Sequence, residues 1–381
     1  MAATEHANRR VLLVANWDWV LYNFRLPLAA ALRRAGYDVL LVCPQGGYAE
    51  EMRKSGFEVI DWRLARKSVN PARELAAVVR LIGIYRSLQP AVVHHFTIKP
   101  NFYGSLAAWV LPGCQCPVIN TFSGLGFVFT EAVRARLARA IVLPLFRLVM
   151  RSGRTWSVFH TSSDLDRCVR MGLGRACRAR LIPGSGVNIA RFRPSSPRAS
   201  HTPVAVTGAR LLWDKGIGDF VEAARLLRRE GIAAEFWIAG EADEGNPSCI
   251  PSEVLGRWRR EGIVRLLGHQ RMDEVLARAD IAVLPSYHEG VPRFLVESAA
   301  AGLPLIATDI EGCRMLVCPG KNGVLVPPRR PDILADALRV LIADPDLRRK
   351  YGTASQKLAQ LHSEQRIIEQ YLHLYQEVCS G

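Results

Sequence analysis

Short apolar runs alternate with longer stretches of helical periodicity along the 381-residue chain. Apolar runs of about four to eight residues are typical of buried parallel strands, whereas apolar positions that recur every three or four residues favour helices. The predicted strands span residues 10–15, 37–43, 57–62, 91–96, 118–121, 204–207, 234–239, 264–267, 281–284 and 304–308. The predicted helices span residues 26–34, 72–87, 217–228, 293–301, 333–343, 345–360 and 364–379. This alternation predicts an α/β protein built from doubly wound parallel sheets.

The length of the chain favours two domains of ordinary size. A segment rich in Ser, Pro and Gly begins at residue 184 and reads GSGVNIARFRPSSPRASHTP. Such a composition is typical of a linker between domains. We therefore predict an N-terminal domain over residues 1–187, a linker over 188–202, a C-terminal domain over 203–360 and a helical tail over 361–381.

A strand, a loop and a helix over residues 281–301 form the most informative stretch of the chain. Pro292 suits the first position of the helix. The backbone amides of residues 293–295 would then lack partners within the helix and offer a site for an anion. Glu289 and Glu297 flank this site, and because carboxylates repel phosphate they are better suited to accept hydrogen bonds from sugar or ribose hydroxyls. For either glutamate alone, a solvated position near the helix dipole is the plainer interpretation.

Two cations follow the first strand of the predicted second sheet. Arg210 and Lys215 lie in the loop after residues 204–207, where a guanidinium and an ammonium group suit a diphosphate. Taken alone, each would more often be a surface cation. Two Asp-x-Asp sequences, at 164–166 and 344–346, lie at predicted helix starts and not after a strand, so we predict no essential metal ion.

Polar residues follow several predicted strands of the N-terminal half, at the edge where open α/β sheets bind ligands. The first loop lacks a G-x-G-x-x-G pattern, which argues against a dehydrogenase-type dinucleotide site. We predict a second ligand site at this edge, made of Asn16, Arg25, His95, Lys99, Ser123 and Gly124. For His95, a buried structural role is the alternative.

The formal net charge of +15 is unusual, whereas the content of 49% hydrophobic and 22% charged residues is ordinary. Such a charge implies nucleic acid, an anionic membrane surface or phosphorylated ligands. Residues 132–163 contain six arginines and no carboxylate. A basic amphipathic helix near 134–154 predicts peripheral contact with an anionic bilayer, with a helix that covers the sheet as the alternative. Stacking aromatics interleaved with basic residues are not found, so we predict no nucleic-acid partner.

The N-terminus, MAATEHANRR, leads into a short apolar run that does not resemble a signal peptide. No apolar run approaches the roughly 18 residues that span a bilayer. The nine cysteines are scattered, which favours reduced thiols. We expect a cytoplasmic protein, peripheral at the inner face of the cytoplasmic membrane.

Three blocks of the second half together resemble the signature of retaining GT-B glycosyltransferases of family 4. They are EGVPRFLVESAAAGLPLIATDIEGCRMLV at 289–317, ARLLWDKG at 209–216 and GKNGVLVPP at 320–328. In the first half, HHFTIKPNFYGSLAA and NTFSGLGFVF resemble, more loosely, the acceptor half of members that build lipid-linked glycans and O-antigen units. Many members carry a His in the loop that here reads Thr121, Phe122, Ser123, so no catalytic His is assigned.

The resemblance implies two facing Rossmann-like domains with an interdomain cleft, and a last helix that packs back on the first domain. It implies transfer from a nucleotide-sugar, a UDP-sugar, to a polyprenyl-diphosphate-linked sugar in bacterial surface polysaccharide or glycan biosynthesis. Glu289, Arg210 and Lys215 would be catalytic, and the N-terminal site would bind the acceptor. The donor would contact Arg210, Lys215, Gly240, Gly268, His269, Glu289, Gly290, Arg293, Phe294, Leu295 and Glu297. Neither a cofactor nor a metal ion is implied.

Two alternatives stay open at this point. A sugar-nucleotide epimerase on a similar scaffold would need acid and base groups that flank a sugar carbon. The combination of ARLLWDKG with two glutamates eight positions apart argues against it. The other alternative is a glycosyltransferase with a soluble acceptor.

Overall fold

The computed structural model describes residues 9–66, 68, 70–113, 115–122, 143–150, 154–192 and 202–380. The chain divides into two compact units. The first comprises Met1–Ser185 together with Ile367–Gly381, and the second comprises Gly186–Arg366. The predicted tail begins at residue 361, whereas the structure assigns the chain to the first unit from Ile367 onward.

The first unit is built on a parallel sheet with the strand order β3-β2-β1-β4-β5-β6-β7. Its strands are β1 Arg10–Ala15, β2 Asp38–Cys43, β3 Glu58–Asp61, β4 Val92–Phe96, β5 Val118–Phe122, β6 Thr155–Phe159 and β7 Ala179–Leu181. The chain continues from β1 to β2 on one side and later places β4 on the other side. The carboxyl ends of β1 and β4 therefore form the topological switch point of this sheet, where such sheets bind ligands.

Helices cover both faces of the first sheet, which is why its strands read as continuous apolar runs. These helices are Asp18–Phe24, Leu26–Arg34, Gly47–Lys54, Pro71–Leu88, Ile98–Val110, residues 143–150, Ser162–Arg170 and the part of Glu364–Ser380 from Ile367 onward. On one face, Leu13 of β1 shares a buried cluster with Tyr371 and Tyr375 of the last helix. On the other face, Leu12 shares a cluster with Tyr85 of Pro71–Leu88. Each fully buried leucine contributes about 1.5–3 kcal/mol of transfer free energy.

The second unit contains a parallel sheet with the strand order β10-β9-β8-β11-β12-β13. Its strands are β8 Val204–Gly208, β9 Glu235–Ala239, β10 Arg265–Gly268, β11 Ile281–Leu284, β12 Leu305–Thr308 and β13 Gly323–Val326. Its helices are Ile217–Arg229, Ser252–Glu261, Met272–Leu276, Arg293–Ala300, Glu311–Arg314, Pro331–Ala343 and Pro345–Ala359. Because β8 lies between β9 and β11, the switch point of this sheet brings together the loops that follow β8 and β11.

Two helices of the first unit were predicted as loops. In Asp18–Phe24 the sequence shows no helical period, but Trp19 stacks on Trp17 at 4.8 Å and contacts Phe24 edge-on at 4.9 Å. In Ile98–Val110 the proline, Pro100, lies in the first turn, where a helix tolerates it, but in the sequence it reads equally as part of a loop. Leu21 of the first helix and Ala107 of the second are buried against the first sheet, and this tertiary packing outweighs local propensity.

The predicted basic helix near 134–154 lies partly outside the described residues. Residues 143–150 are helical, with Phe146 buried and Leu148 exposed. The prediction is wrong at its carboxyl end, because Arg154 lies in a turn before β6. The β-branched and aromatic residues of TWSVF there pair with β5. In the described part of the chain, no helix combines the length and apolarity that crossing a membrane requires.

Candidate active site

The loops after β8 and β11 touch at the switch point of the second sheet. A backbone hydrogen bond of 2.9 Å runs from the Tyr287 amide to the Asp214 carbonyl. Gly216 has φ +65°, and a Cβ there would lie 2.0 Å from the carbonyl oxygen of Pro285. Only glycine permits this approach, which fixes one loop against the other.

The contact between these loops brings two predicted catalytic residues together. The Lys215 ammonium lies 2.7 Å from Oε1 of Glu289, and the two side chains are 19% and 16% exposed. Partial burial reduces solvent screening of this ion pair, so it is stronger than a surface pair. The sequence predicted both residues at the site but did not predict that they pair.

Arg210 is held by a carboxylate that sequence reasoning missed. Its Nη1 lies 2.6 Å from Oδ2 of Asp243, with 60% of the arginine side chain exposed. Asp243 belongs to the loop after β9, and that loop approaches Arg210 because Gly240 has no side chain. A Cβ at Gly240 would lie 1.8 Å from the Ala209 carbonyl oxygen. Gly240, predicted as a donor contact, thus has a structural reason to be glycine.

Glu297 is buried in the helix Arg293–Ala300, with 9% of its surface exposed. Its Oε1 accepts a hydrogen bond of 2.7 Å from Nε of Arg293, one turn earlier. Burial raises the pKa of the Glu297 carboxyl, and the positive charges of Arg293 and Arg191 oppose this shift. Asp273 lies close enough to raise that pKa in turn, while its own pKa is lowered by a hydrogen bond from Arg271. Neither Arg191 nor Asp273 was predicted from the sequence.

The start of the helix Arg293–Ala300 differs from the prediction in two respects. Pro292 is the residue before the helix and not its first residue. The Leu295 amide donates to the Pro292 carbonyl at 3.1 Å, so it is not available to an anion as predicted. The tight first turn explains this, because its amide bonds back three residues as in a 3₁₀-helix. The ring of Phe294 is buried in the core of the unit.

The remaining predicted donor contacts lie at strand ends or in the loops that follow them. Gly268 accepts a hydrogen bond of 2.9 Å from the Gly240 amide, which links the ends of β9 and β10. His269 is exposed beside it. Gly290 is half-buried in the loop after β11, and its carbonyl oxygen packs against Gly312.

On the first unit, His95 does not lie at an accessible edge as predicted. It is fully buried, with Nδ1 2.8 Å from Oδ1 of Asn120 and Nε2 2.7 Å from the Tyr85 hydroxyl. Burial lowers the pKa of His95 to about 4, against a smaller raising effect of Asn120. The imidazole is therefore neutral and has a structural role.

Lys99 was predicted in a loop but lies in the first turn of the helix Ile98–Val110. Its ammonium group is 2.9 Å from Oε2 of Glu74, with the two side chains 21% and 15% exposed. The Ser68 carbonyl accepts a further bond of 2.6 Å from the same group. Lys99 thus joins two helices, and this explains its position without a ligand.

Asn16 and Arg25 lie together near the switch point of the first sheet. Asn16 follows β1 and accepts a hydrogen bond of 2.9 Å from Oγ1 of Thr97, which follows β4. Arg25 is buried over the ring of Phe96. The predicted residues Ser123 and Gly124 lie outside the described residues.

Comparison with known proteins assigns the chain to a family. A family model described as glycosyl transferases group 1 matches residues 188–358, and one described as glycosyl transferase 4-like matches residues 10–151. The putative glycosyltransferase EpsD of Bacillus subtilis is 31% identical over 382 residues, which cover 96% of each chain. The chain belongs to the group 1 glycosyltransferases. The predicted family and enzyme class are confirmed.

A second relative and a solved structure extend the comparison of this glycosyltransferase. The N,N'-diacetylbacillosaminyl-diphospho-undecaprenol alpha-1,3-N-acetylgalactosaminyltransferase of Campylobacter jejuni is 29% identical over 94% of this chain and 96% of its own. The structure of Anabaena HepE in complex with UDP matches 97% of this chain and 100% of its own, with a TM-score of 0.76 and 17% identity. The latter similarity shows the fold, so the predicted GT-B architecture of two parallel-sheet α/β domains is also confirmed.

Near its switch point, the second unit of the glycosyltransferase has two cations, Arg210 and Lys215, and two carboxylates, Glu289 and Glu297. Arg210 and Lys215 can bind phosphate oxygens, while Glu289 and Glu297 can accept hydrogen bonds from hydroxyls. Cations placed where negative charge develops on a leaving phosphate lower the barrier to its departure. This set of groups suits the transfer of a sugar from a nucleoside diphosphate.

Proposed function

We propose that this glycosyltransferase moves a sugar, with retention of its anomeric configuration, from a UDP-sugar to a lipid-linked sugar acceptor. The observation that carries the proposal is the pair of cations, Arg210 and Lys215, each held by a carboxylate at the switch point of the second sheet. A guanidinium has five donors and an ammonium group has three. Each can therefore keep its carboxylate partner and still donate to the diphosphate of the donor.

In the proposed reaction, the bond between C1 of the sugar and the β-phosphate oxygen breaks while C1 bonds to the acceptor hydroxyl oxygen. The proton of that hydroxyl passes to the departing phosphate oxygen, on the same face of the sugar. Arg210 and Lys215 stabilise the charge that develops on the phosphate. Because side chains supply this stabilisation, we propose that no metal ion is required.

The two glutamates would bind the hydroxyl groups of the donor. Glu289 lies beside Lys215, and thus beside the phosphate end of the nucleotide, where it would contact the transferred sugar. Glu297 lies one turn into the next helix, where its buried carboxylate would accept from the ribose hydroxyls. A buried acceptor that loses a hydroxyl partner is costly, so these contacts would also give specificity.

The substrate classes are supported by relatives. HepE, which shares the fold, was solved with UDP, and this supports a uridine nucleotide. The C. jejuni relative is named for a diphospho-undecaprenol acceptor and is similar over nearly its whole length. This supports a lipid-linked diphosphate sugar and a role in the assembly of a surface polysaccharide or glycan. A soluble sugar is the alternative acceptor.

A lipid-linked acceptor requires access to a bilayer. We therefore also propose that one helical face of the first unit contacts an anionic membrane from the cytoplasmic side. This face comprises the helices Pro71–Leu88, Ile98–Val110 and 143–150. An ion pair between Glu74 and Lys99 joins the first helix to the second, and Phe102 of the second helix packs on Phe146 of the third. It exposes apolar side chains, namely Leu75 at 65%, Val79 at 59%, Trp109 at 49%, Leu145 at 38% and Leu148 at 50%. It also exposes Arg73, Arg80, Arg86 and Arg147. Apolar side chains among arginines suit an anionic bilayer surface.

Two measurements on the purified protein test the proposal. The first is the shift in melting temperature with UDP, GDP and ADP, each with and without EDTA, since a ligand that binds the native state raises this temperature. We expect a shift with UDP that EDTA does not change and that Arg210→Gln abolishes. The matched control is Arg330→Gln, since Arg330 also lies 2.6 Å from an aspartate but elsewhere in the same unit.

The second measurement is transfer from a UDP-sugar to a polyprenyl-diphosphate-linked sugar and to the same sugar free in solution. We expect product from the lipid-linked form, with the anomeric configuration of the donor sugar kept. The absence of any nucleotide shift, or an inverted product, would refute the proposed chemistry. Transfer to the free sugar alone would move the enzyme to the soluble-acceptor alternative.

A further inference from the structure

Arg25 is a buried cation of the first unit, with 4% of its surface exposed. It lies between the helices Asp18–Phe24 and Leu26–Arg34. Its guanidinium carbon lies 4.4 Å from the centre of the Phe96 ring, and its Nη1 donates to the Tyr371 hydroxyl at 3.4 Å. Both partners are neutral, so neither compensates the charge.

Within the described ranges, no carboxylate forms an ion pair with Arg25, and its Nε is buried without a hydrogen-bond partner. Burial of an ionised group without a counter-charge is strongly destabilising. Buried polar groups in native proteins are nearly always satisfied, so an exception needs an explanation. A negatively charged ligand would provide the missing partner.

His160 is a second buried group with an unsatisfied polar atom. It follows the last residue of β6, is 6% exposed, and its Nε2 has no hydrogen-bond partner among the described residues. Burial, and next the positive charge of Arg25, lowers the pKa of His160 to about 3. The charge of Arg25 therefore acts on His160, whose imidazole is neutral at pH 7. Protonated at Nε2, a neutral imidazole donates one hydrogen bond to an anion.

Arg25 lies at the topological switch point of the first sheet, and His160 follows β6, two strands further along the same carboxyl edge. Phe96, which Arg25 covers, is the last residue of β4, and the next residue is Thr97. Thr97 has φ +75° and donates to Asn16 at the end of β1. A threonine in this left-handed region is strained, and such strain is concentrated at functional sites. The unpaired charge and the strained backbone thus occur at the place where open α/β sheets bind ligands.

We propose that Arg25, at this switch point, binds a phosphate group of the lipid-linked acceptor together with His160 at the end of β6. The identity of the acceptor rests on the proposed function, whereas the anion site rests on the unpaired groups themselves. A planar guanidinium edge matches two phosphate oxygens, which favours phosphate over the neutral hydroxyls of a sugar. Free inorganic phosphate has the same chemistry, so the experiment must separate the two sources.

The central variant is Arg25→Met, which removes the charge and keeps most of the side-chain length. We expect the KM for the lipid-linked acceptor to rise about tenfold or more, as for loss of a charged hydrogen bond, while the KM for the UDP-sugar stays within about twofold. The melting temperature should stay equal or rise, because the uncompensated charge is gone. Arg33→Met is the matched control, since Arg33 also lies over a ring, Phe57 at 4.3 Å, but in an exposed position.

A purely structural role for Arg25 predicts the opposite pattern, with a lower melting temperature and an unchanged acceptor KM, and that result would overturn the proposal. Should Arg25→Met not fold, the wild-type protein still provides a test. The Nε–H signal of Arg25 is followed by NMR during titration with inorganic pyrophosphate, with UDP at saturation so that the donor site is filled. A shift of this signal supports the anion site, and its absence refutes it.

The same experiments separate this inference from the proposed function. Normal UDP binding with no effect of Arg25→Met on acceptor KM would remove only the acceptor assignment. A pyrophosphate-dependent shift together with an unchanged acceptor KM would assign the site to free phosphate and refute its link to the acceptor. Absence of UDP binding in the wild type would refute the donor proposal but leave the pyrophosphate result valid.

Discussion

The pairing of Lys215 with Glu289 predicts an unusual phenotype for Glu289→Gln. The two charged atoms are 2.7 Å apart, and both side chains are less than one-fifth exposed. If the Glu289 carboxylate binds the transferred sugar and also restrains Lys215, neutralising the carboxylate should affect sugar transfer and UDP binding in opposite directions. Transfer should fall sharply, whereas binding of UDP, which lacks the transferred sugar, should improve.

The magnitude follows from the geometry. With an effective dielectric constant of about 20, two unit charges at this distance attract by about 6 kcal/mol, which is an upper bound. Desolvation and side-chain ordering cancel most of this, which leaves about 1–2 kcal/mol for a partly buried pair. Removal of the negative charge beside Lys215 should therefore tighten UDP binding by about 5- to 30-fold. Loss of a charged contact to the reacting sugar should lower kcat by about 100-fold or more.

The assay is isothermal titration of UDP alongside steady-state transfer, with wild type, Glu289→Gln and a matched control. Glu261→Gln is the control, because Glu261 forms a 2.6 Å ion pair with Arg225 in the same unit but is not a site residue. The control should change neither value. A UDP affinity that falls more than about threefold in Glu289→Gln, or an unchanged kcat, would show that Glu289 does not act as described.

Three further predictions follow from single contacts. Asp243→Asn should change UDP affinity and kcat/KM by more than about threefold, since it frees the arginine that it holds at 2.6 Å; titration and kinetics equal to wild type would exclude a role for this pair. The raised pKa of Glu297 means that its favourable contribution to stability is complete below pH 4.5 and is lost as pH rises through the folded-state pKa. Glu297→Gln should lack this loss, so its unfolding free energy in urea titrations should decline less than that of the wild type as pH rises above 4.5. The variant should also bind UDP more weakly. Leu75→Ser with Val79→Ser should reduce flotation with anionic vesicles at least threefold relative to Val340→Ser, an exposed valine of the second unit; equal flotation would refute the membrane face.

Ten of the thirteen strands that the structure describes could be predicted because their signal is local; β6, β7 and β13 were not predicted. Ile281–Leu284 reads as four apolar residues in a row and is fully buried between two neighbours of the same sheet. Once the strands are placed, parallel pairing puts their carboxyl ends at one edge, so the candidate positions of Arg210, Lys215 and Glu289 follow from the order of elements. The helix Asp18–Phe24 did not follow, because only Asp18 and Leu21 of its seven residues are buried, so its apolar residues show no helical period.

Which side chains at an edge face a ligand could not be predicted, because their partners are distant in sequence. His95 is satisfied by Asn120, 25 residues later, and Lys99 by Glu74, 25 residues earlier. The partner of Arg210 is 33 residues away. A polar residue after a strand reads the same whether it meets such a partner or solvent, so the sequence identifies the edge but not its accessible groups.

Arg25 shows how the structure reverses this ambiguity. From the sequence it was one of several polar residues near a strand end, equal in rank to His95 and Lys99. The structure gives His95 two neutral hydrogen-bond partners and Lys99 a carboxylate, so both are satisfied without a ligand. Arg25 receives a ring and a tyrosine hydroxyl 346 residues away, neither of which balances its charge. Because the fold leaves this buried charge without a counter-charge, the unbalanced charge, and not the position at the edge, distinguishes Arg25 from its neighbours.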